Sequence, residues 1–172
     1  MAASDYDSHY YSTSCGPKPY TRNDEWLWFF GAIADEIIRS LRPRRVFDAG
    51  CAMGMLVESL WDRGVEAWGA DISEYAIGEI RRDMRPYCRV GSIAEPAGAQ
   101  FDLIVCIEVL EHMPEEDARQ AVAHFAAAAD TVLFSSNPND FTEPTHINVH
   151  PLIYWLKLFQ EHGYQPELTY DA

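Results

Sequence analysis

The stretch VFDAGCAMG, Val46–Gly54, has the pattern of a short apolar strand that runs into a turn of small residues and then into a helix. A dinucleotide site would need glycines at positions 50, 52 and 55, where this chain has Gly50, Ala52 and Met55. Asp48 would also place a carboxylate beside an anionic pyrophosphate. The turn therefore favours a cationic or zwitterionic ligand.

Strand and helix patterns alternate on both sides of this stretch. Further strands are indicated at 65–73, 87–93, 101–109 and 130–136, with a last one at 164–170, and helices at 23–41, 53–64, 74–84, 114–129 and 151–163. This order predicts an α/β fold, a doubly wound and mostly parallel sheet with helices on both faces, formed by a single domain over residues 1–172. Ligands of such sheets bind beyond the carboxyl ends of the strands, where Asp48, Gly50, Asp71, Ser92, Glu108 and Asn137 fall.

The composition of the chain indicates which partners and which cellular setting it suits. A formal net charge of −14 disfavours a broad nucleic-acid surface. The four cysteines form no CxxC pair, which favours neither a disulfide framework nor a zinc site and indicates a cytoplasmic setting. The sequence contains no membrane-span pattern and no secretory signal. Residues 1–22 are polar and rich in Tyr, Ser, Gly and Pro, so we expect an arm without a regular core element.

The first motif resembles the D-x-G-C-G-x-G motif of the class I S-adenosylmethionine-dependent methyltransferases. The likeness continues in order through ADIS, GSI, FDLIVCIEVLEHMP and THINVHPLIYWLKLFQEHGY, from Arg44 to Tyr164. The resemblance implies a Rossmann-like fold and S-adenosylmethionine as the cofactor. It also implies an antiparallel C-terminal hairpin, of which this chain has only part, so we expect a homodimer or a neighbouring domain at the sheet edge.

The resemblance implies a role for each matching residue. Gly50 and Gly54 would let the backbone approach the methionine part of the cofactor, Asp48 would lie near its amino group, Asp71 would accept the ribose hydroxyls and Ile72 would pack on the adenine. Ser92 stands where relatives often have an acid. The Ala52 methyl is tolerable if φ is negative there. The full set of expected cofactor contacts is Asp48, Gly50, Cys51, Ala52, Gly54, Asp71, Ile72, Ser92, Ile93, Cys106 and Tyr11.

The segment EVLEH supplies Glu108, Glu111 and His112, whose spacing predicts one side of a single helical turn. One interpretation makes His112, with Glu108, the catalytic acid–base group. A second is a divalent metal (Mg²⁺, Mn²⁺ or Fe²⁺) held by Glu108, Glu111, His112 and His146, with His150 as a substitute. It resembles the arrangement in metal-dependent methyltransferases of ubiquinone synthesis and of small-RNA 3′ ends. A third is purely structural.

The resemblance implies methyl transfer to a small-molecule or sugar acceptor, at oxygen. The alternatives are a metal-dependent RNA 3′-end methyltransferase, which the charge opposes, and a non-catalytic cofactor-binding module. Tyr10, Tyr11 and Tyr20 of the arm are predicted either to close over the cofactor as a lid or to cover the first helix.

Overall fold

The computed structural model of the chain describes residues 3–167, and its centre is a five-stranded parallel sheet. The strands are β1 (Arg45–Ala49), β2 (Glu66–Asp71), β3 (Cys88–Val90), β4 (Leu103–Ile107) and β5 (Val132–Ser135), in the order β3-β2-β1-β4-β5. Asp48 of β1 lies opposite Gly69 of β2 and Val105 of β4. The chain reverses its direction of winding between β1 and β4, which creates a crevice at their carboxyl ends. The predicted fold class is confirmed.

In the described part of the chain, six α-helices accompany the sheet: α1 (Ser8–Thr13), α2 (Asp24–Ser40), α3 (Met55–Trp61), α4 (Glu74–Gly78), α5 (Glu115–Ala128) and α6 (Leu152–Glu161). On one face, apolar residues of α2 and α3 bury alternate residues of β1, β2 and β4, such as Val46, Ala67 and Leu103. On the other face, α5 and α6 bury Phe47 and Ile104. The expected start of α2 is confirmed, because the Asn23 side chain accepts hydrogen bonds from two backbone N–H groups of the first turn.

The arm differs from the sequence expectation, since it contains a helix and contributes to a core. The Asp7 side chain caps α1 by accepting from the N–H groups of His9 and Tyr10. Tyr6 and Tyr11 are buried with Met53 and Met55. The sequence pattern did not reveal this packing, because a few tyrosines supply it and the arm has no long apolar period.

A bidentate ion pair connects the end of the arm to α3. The Arg22 guanidinium donates to both oxygens of Glu58, at 2.8 and 2.6 Å. Glu58 is buried at 5% exposure and also lies 3.3 Å from Arg81. The arm is therefore held to the core by charge as well as by aromatic packing.

Two predicted elements differ from the structure. Helix α4 ends at Gly78 rather than at Met84, and the Arg85 guanidinium donates to the Gly78 carbonyl at 3.0 Å. Glycine is a poor helix former and a basic side chain satisfies the freed carbonyl, so the helix stops. Residues 164–167 form no strand, and the rest of the strand expected at 164–170 lies outside the described residues.

Within residues 3–167, the sheet ends at β3 on one side and at β5 on the other. All four cysteines are free, as the sequence predicted. No described helix combines the length and the apolar character that a membrane span requires.

Candidate functional site

A cavity of about 740 Å³ opens at the carboxyl ends of the strands. This volume lies in the range of small-molecule and cofactor sites. Its walls come from the arm, from the turn after β1 and from the ends of β2 and β4, and the loop after β5 closes one side. The wall includes most of the sequence-predicted residues: Tyr11, Asp48, Gly50, Cys51, Ala52, Asp71, Ile72, Ser92, Ile93, Glu108, His112 and His146.

Two predicted cofactor residues lie elsewhere. Cys106 is fully buried in the core beneath α5 and α6, and it is not part of the cavity wall. Gly54 is the N-cap residue of α3, where its φ is 64° and an added Cβ would meet Ile80 at 3.2 Å. Its role is to turn the chain into the helix, and it does not line the cavity.

The turn after β1 has left-handed backbone at positions 50 and 52. Gly50 has a φ of 88°, and a Cβ there would lie 2.3 Å from a methyl carbon of Val109. Ala52 has a φ of 45°. The condition under which the sequence made the Ala52 methyl tolerable, a negative φ, is therefore not met, and the alanine carries the steric cost of a left-handed conformation.

Asp71 holds this turn in place. One of its carboxylate oxygens accepts from the Ala52 N–H and the other from the Ser73 N–H, both at 2.8 Å. The hydrogen bond to Ala52 fixes the turn in the conformation that its φ value describes. The end of β2 and the turn after β1 thus form one unit, and the strain at Ala52 is maintained by a buried acceptor.

Asp48 and Asp71 place two buried carboxyl groups in the same cavity. They are 6% and 9% exposed. Burial, followed by the charge of Asp71, raises the pKa of Asp48 from 3.8 to about 7. Burial also raises the pKa of Asp71, against two backbone hydrogen bonds that lower it. A cation in this cavity would stabilise both ionised carboxylates.

The EVLEH segment does not form the predicted single helical turn. Glu108 has a φ of 53° and precedes a short 3-10 turn formed by Leu110–His112. The Glu108 carboxylate accepts from the Ser135 hydroxyl at 2.7 Å, whereas Glu111 is fully buried. The left-handed residue breaks the helical spacing on which the prediction depended, so the Glu108 carboxyl stays near that of Glu111 but is not among the ligand atoms that group with His112.

Glu111, His112 and His146 form a compact group instead. One ligand atom from each lies within 4.8 Å of the others. One Glu111 oxygen accepts from the Asn137 N–H at 2.9 Å, and the other, Oε2, is buried with no hydrogen-bond partner. Burial raises the pKa of Glu111 from 4.5 to about 7, with the hydrogen bond from the Asn137 N–H opposing the rise and the nearby Glu108 carboxyl adding to it. Burial and the neighbouring His146 lower the pKa of His112 to about 4. His150 instead stacks on Tyr154, with ring centroids 3.7 Å apart.

Two buried polar residues of this region were missed by sequence reasoning. Thr145 accepts or donates a hydrogen bond at His112 Nδ1, at 3.0 Å, and Asn148 donates its side-chain N–H to the Leu110 carbonyl at 3.1 Å. The Asn148 backbone N–H also donates to the Glu111 carbonyl. The two residues join the loop after β5 to the EVLEH segment. Their only sequence signal was their position beside His146 in PTHINVH.

The arm covers the same end of the cavity. The Tyr6 and Tyr10 rings meet the His112 ring edge to face, with centroids 6.1 and 6.3 Å away. Tyr20 lines the cavity and also packs on Trp26 of α2, 4.8 Å between centroids. The arm therefore borders the cavity and also covers the first long helix, and its closure over a cofactor stays a prediction.

Comparison with known proteins finds that this chain is similar to curated O-methyltransferases. The chain is 36% identical over 110 residues to the ubiquinone biosynthesis O-methyltransferase of Azoarcus sp. strain BH72, a match that covers 59% of this chain and 47% of that protein. It is 33% identical over 100 residues to the magnesium-protoporphyrin O-methyltransferase of Synechocystis sp., which covers 53% of this chain and 43% of the relative. The matched region spans about half the length of these curated relatives.

Solved structures share the fold. The magnesium protoporphyrin IX methyltransferase of Synechocystis PCC 6803, solved with bound S-adenosylhomocysteine, superposes with a TM-score of 0.64 at 22% identity, covering 81% of this chain and 74% of that one. The PH0226 protein of Pyrococcus horikoshii OT3 has the same TM-score at 18% identity, covering 83% of this chain and 84% of its own. Both likenesses show the Rossmann-like methyltransferase fold.

A family model described as "Methyltransferase domain" matches residues 26–169. The match runs from α2 through the glycine turn, the EVLEH segment and α6, so it includes most elements that build the cavity. The chain belongs to this methyltransferase domain family.

Proposed function

We propose that the protein transfers a methyl group from S-adenosylmethionine to an oxygen atom of a small-molecule or sugar acceptor. The observation that carries the proposal is the pair of buried carboxyl groups, Asp48 and Asp71, at the carboxyl ends of β1 and β2 in one cavity. Burial in this cavity raises the pKa of both acids, and a cationic ligand relieves that cost.

We assign residues of the cavity wall to separate parts of the cofactor. Each Asp71 oxygen accepts one backbone N–H and keeps a lone pair, so the carboxylate is able to accept the two ribose hydroxyls as well. Ile72 and Ile93 offer apolar surface to the adenine, and Ser92 a hydroxyl. Gly50, Cys51 and Ala52 would border the methionine part, and Asp48 would face its ammonium group. Tyr11 would cover the ligand from the arm.

Bound S-adenosylmethionine supplies a methyl group on a positively charged sulfur, which an acceptor oxygen displaces in line. The protein's contribution is to hold the acceptor at attack distance and to take its proton. His112 lies on the cavity wall with its ring neutral at pH 7 and so open to that proton, while its lowered pKa makes it a weaker base than an exposed imidazole. Glu108 lies on the same wall, with a strained backbone that is typical of functional sites.

As the alternative to His112 acting as the base, we propose that Glu111, His112 and His146 hold a divalent cation. The unpartnered, buried Oε2 of Glu111 supports this, since a buried carboxylate oxygen normally has a partner. One oxygen and two imidazole nitrogens suit Mn²⁺ or Fe²⁺, or Mg²⁺ with water completing its shell. Such a cation would bind acceptor oxygens and favour loss of the hydroxyl proton. Glu108, which the sequence placed in this set, lies outside the group.

Calorimetric titration with S-adenosylhomocysteine tests the cofactor site. We expect binding by the wild type and a loss of at least about tenfold for Asp71→Asn, because one carboxylate oxygen becomes a donor. Asp130→Asn is the matched control, since Asp130 is an exposed carboxylate outside the cavity. Equal affinity in wild type and Asp71→Asn, with both folded by circular dichroism, would remove the ribose assignment.

A second assay addresses the acceptor and the metal. Radiolabelled S-adenosylmethionine is incubated with neutral catechols and sugars, with chelator or with added Mn²⁺. Methylation that chelator abolishes and Mn²⁺ restores supports the metal; chelator-resistant methylation lost in His112→Asn supports His112 as the base. No product from any acceptor, with tight cofactor binding, would instead favour a binding module.

A further inference from the structure

Side-chain hydrogen bonds connect His112 to the loop between β5 and α6. The Thr145 hydroxyl lies 3.0 Å from His112 Nδ1 and 3.0 Å from Glu143 Oε1. Thr145 is 7% exposed, and its backbone N–H also donates to Glu143 Oε1, at 3.2 Å. The two residues are thus held together as a unit beside the imidazole.

The chemistry of the three groups fixes the direction of each hydrogen bond. An ionised carboxylate only accepts, so the single hydroxyl proton of Thr145 is directed to Glu143. The Thr145 oxygen is then left with lone pairs alone on the side of His112. His112 Nδ1 must therefore carry a hydrogen and donate it, which places the lone pair of the neutral ring on Nε2.

His146 reaches the same state by a simpler route. Its Nδ1 lies 3.0 Å from the backbone carbonyl oxygen of Asp140, and a carbonyl only accepts. In a neutral ring this leaves the lone pair on Nε2. Both imidazoles of the Glu111, His112 and His146 group thus direct Nδ1 at a protein acceptor.

We infer that Glu143 and Thr145 are positioning residues that hold His112 as the Nδ1–H tautomer. The role of this tautomer rests on the proposed function, in which Nε2 of His112 takes a proton or binds a cation. Without Glu143, the Thr145 proton is free to point at Nδ1, which favours the opposite tautomer and blocks Nε2 with a hydrogen. Tyr6 and Tyr10, edge to face with the ring, limit its reorientation.

Two matched pairs of variants separate this role from a structural one. Glu143→Ala removes the acceptor, whereas the amide oxygen of Glu143→Gln still accepts the Thr145 proton. Thr145→Val removes the hydroxyl at nearly constant shape, whereas Thr145→Ser keeps it. Thr131→Val, at an exposed position before β5, is a control for the general effect of the threonine substitution.

Long-range ¹H–¹⁵N NMR correlation spectra report the tautomer of each histidine directly, and His112→Asn assigns the signal. We expect an Nδ1–H pattern for His112 in the wild type, Glu143→Gln, Thr145→Ser and Thr131→Val. The pattern should move towards Nε2–H in Glu143→Ala, and Thr145→Val should show a mixture of the two tautomers. An Nε2–H pattern in the wild type, or an unchanged pattern in a folded Glu143→Ala protein, overturns the inference.

Activity gives a second readout that is separable from the first. With any acceptor methylated by the wild type, the turnover rate should fall about 10- to 100-fold in Glu143→Ala and Thr145→Val and recover in the conservative variants. If S-adenosylhomocysteine fails to bind but the tautomer follows the expected pattern, the proposed function fails and the positioning effect stands. If methyl transfer is normal in Glu143→Ala, the positioning role is wrong.

Discussion

Replacing Ala52 by glycine tests the strained turn that holds the proposed cofactor site. Ala52 has a φ of 45°, is half-buried and donates its N–H to Asp71 at 2.8 Å. Glycine makes the same backbone hydrogen bond and adopts this φ without a steric penalty. The substitution therefore removes strain and a methyl group and leaves the rest of the turn unchanged.

The magnitude follows from three opposing effects. A left-handed conformation costs a non-glycine residue about 1–2 kcal/mol, which glycine recovers. Glycine loses about 0.5–1 kcal/mol through the greater freedom of its unfolded chain. The half-buried methyl contributes roughly 0.4 kcal/mol, half the value of a fully buried group. The free energy of unfolding of Ala52→Gly should then lie between about 0.4 kcal/mol below and about 1.1 kcal/mol above that of the wild type.

Urea unfolding of the ligand-free protein measures this change against two controls. Arg42→Gly relieves a φ of 51° at an exposed position and should also stabilise the protein. Ala123→Gly, in the middle of α5, should destabilise it by about 1 kcal/mol. If Ala52→Gly lowers the free energy of unfolding as much as Ala123→Gly does, the left-handed turn is wrong and the geometry proposed for Asp71 loses its basis.

Two further predictions concern buried charge. Since folding raises the pKa of Asp48 from 3.8 to about 7, its contribution to stability is complete below pH 3.8 and is lost as the pH rises through 7. Asp48→Asn should therefore stabilise the protein at pH 8, by up to about 4 kcal/mol, and a stability difference that does not grow between pH 4 and 8 would contradict this. Arg22→Ala leaves Glu58 buried with only the 3.3 Å contact to Arg81. The free energy of unfolding in urea should therefore fall by about 1–3 kcal/mol, and proteolysis of the arm should become faster. Unchanged stability would show that the ion pair does not anchor the arm.

Much of the fold follows from local pattern in the sequence. β4 is apolar throughout because helices cover both faces of a parallel sheet, and the Asn23 cap marks the start of α2. The exceptions have particular physical causes. α4 stops at Gly78 because Arg85 satisfies the freed carbonyl, and α1 forms because Asp7 caps it and its tyrosines find a core. Such tertiary contacts leave no periodic signal.

The candidate site divides in the same way. The proposed cofactor half lies on strand ends, where sequence position fixes the location, so Asp48, Gly50 and Asp71 line one cavity as expected. The proposed acceptor half depends on dihedral angles and on a loop. A positive φ at Glu108 removes it from the predicted cluster, and the loop after β5 brings His146 to His112, with ring centroids 4.6 Å apart. Neither feature is encoded by residue spacing.

This division bears on how one fold accommodates different acceptors. The relatives named above include a ubiquinone biosynthesis O-methyltransferase and a magnesium-protoporphyrin O-methyltransferase, whose names give different acceptors. In this chain, Asp48 and Asp71, which face the proposed cofactor, lie at strand ends, whereas the proposed acceptor wall includes the loop after β5. Asn148 holds that loop to the EVLEH segment through hydrogen bonds to the Leu110 and Glu111 carbonyls. Changes in the loop can therefore reshape the acceptor wall and leave the Asp48 and Asp71 carboxylates in place, because no strand has to move.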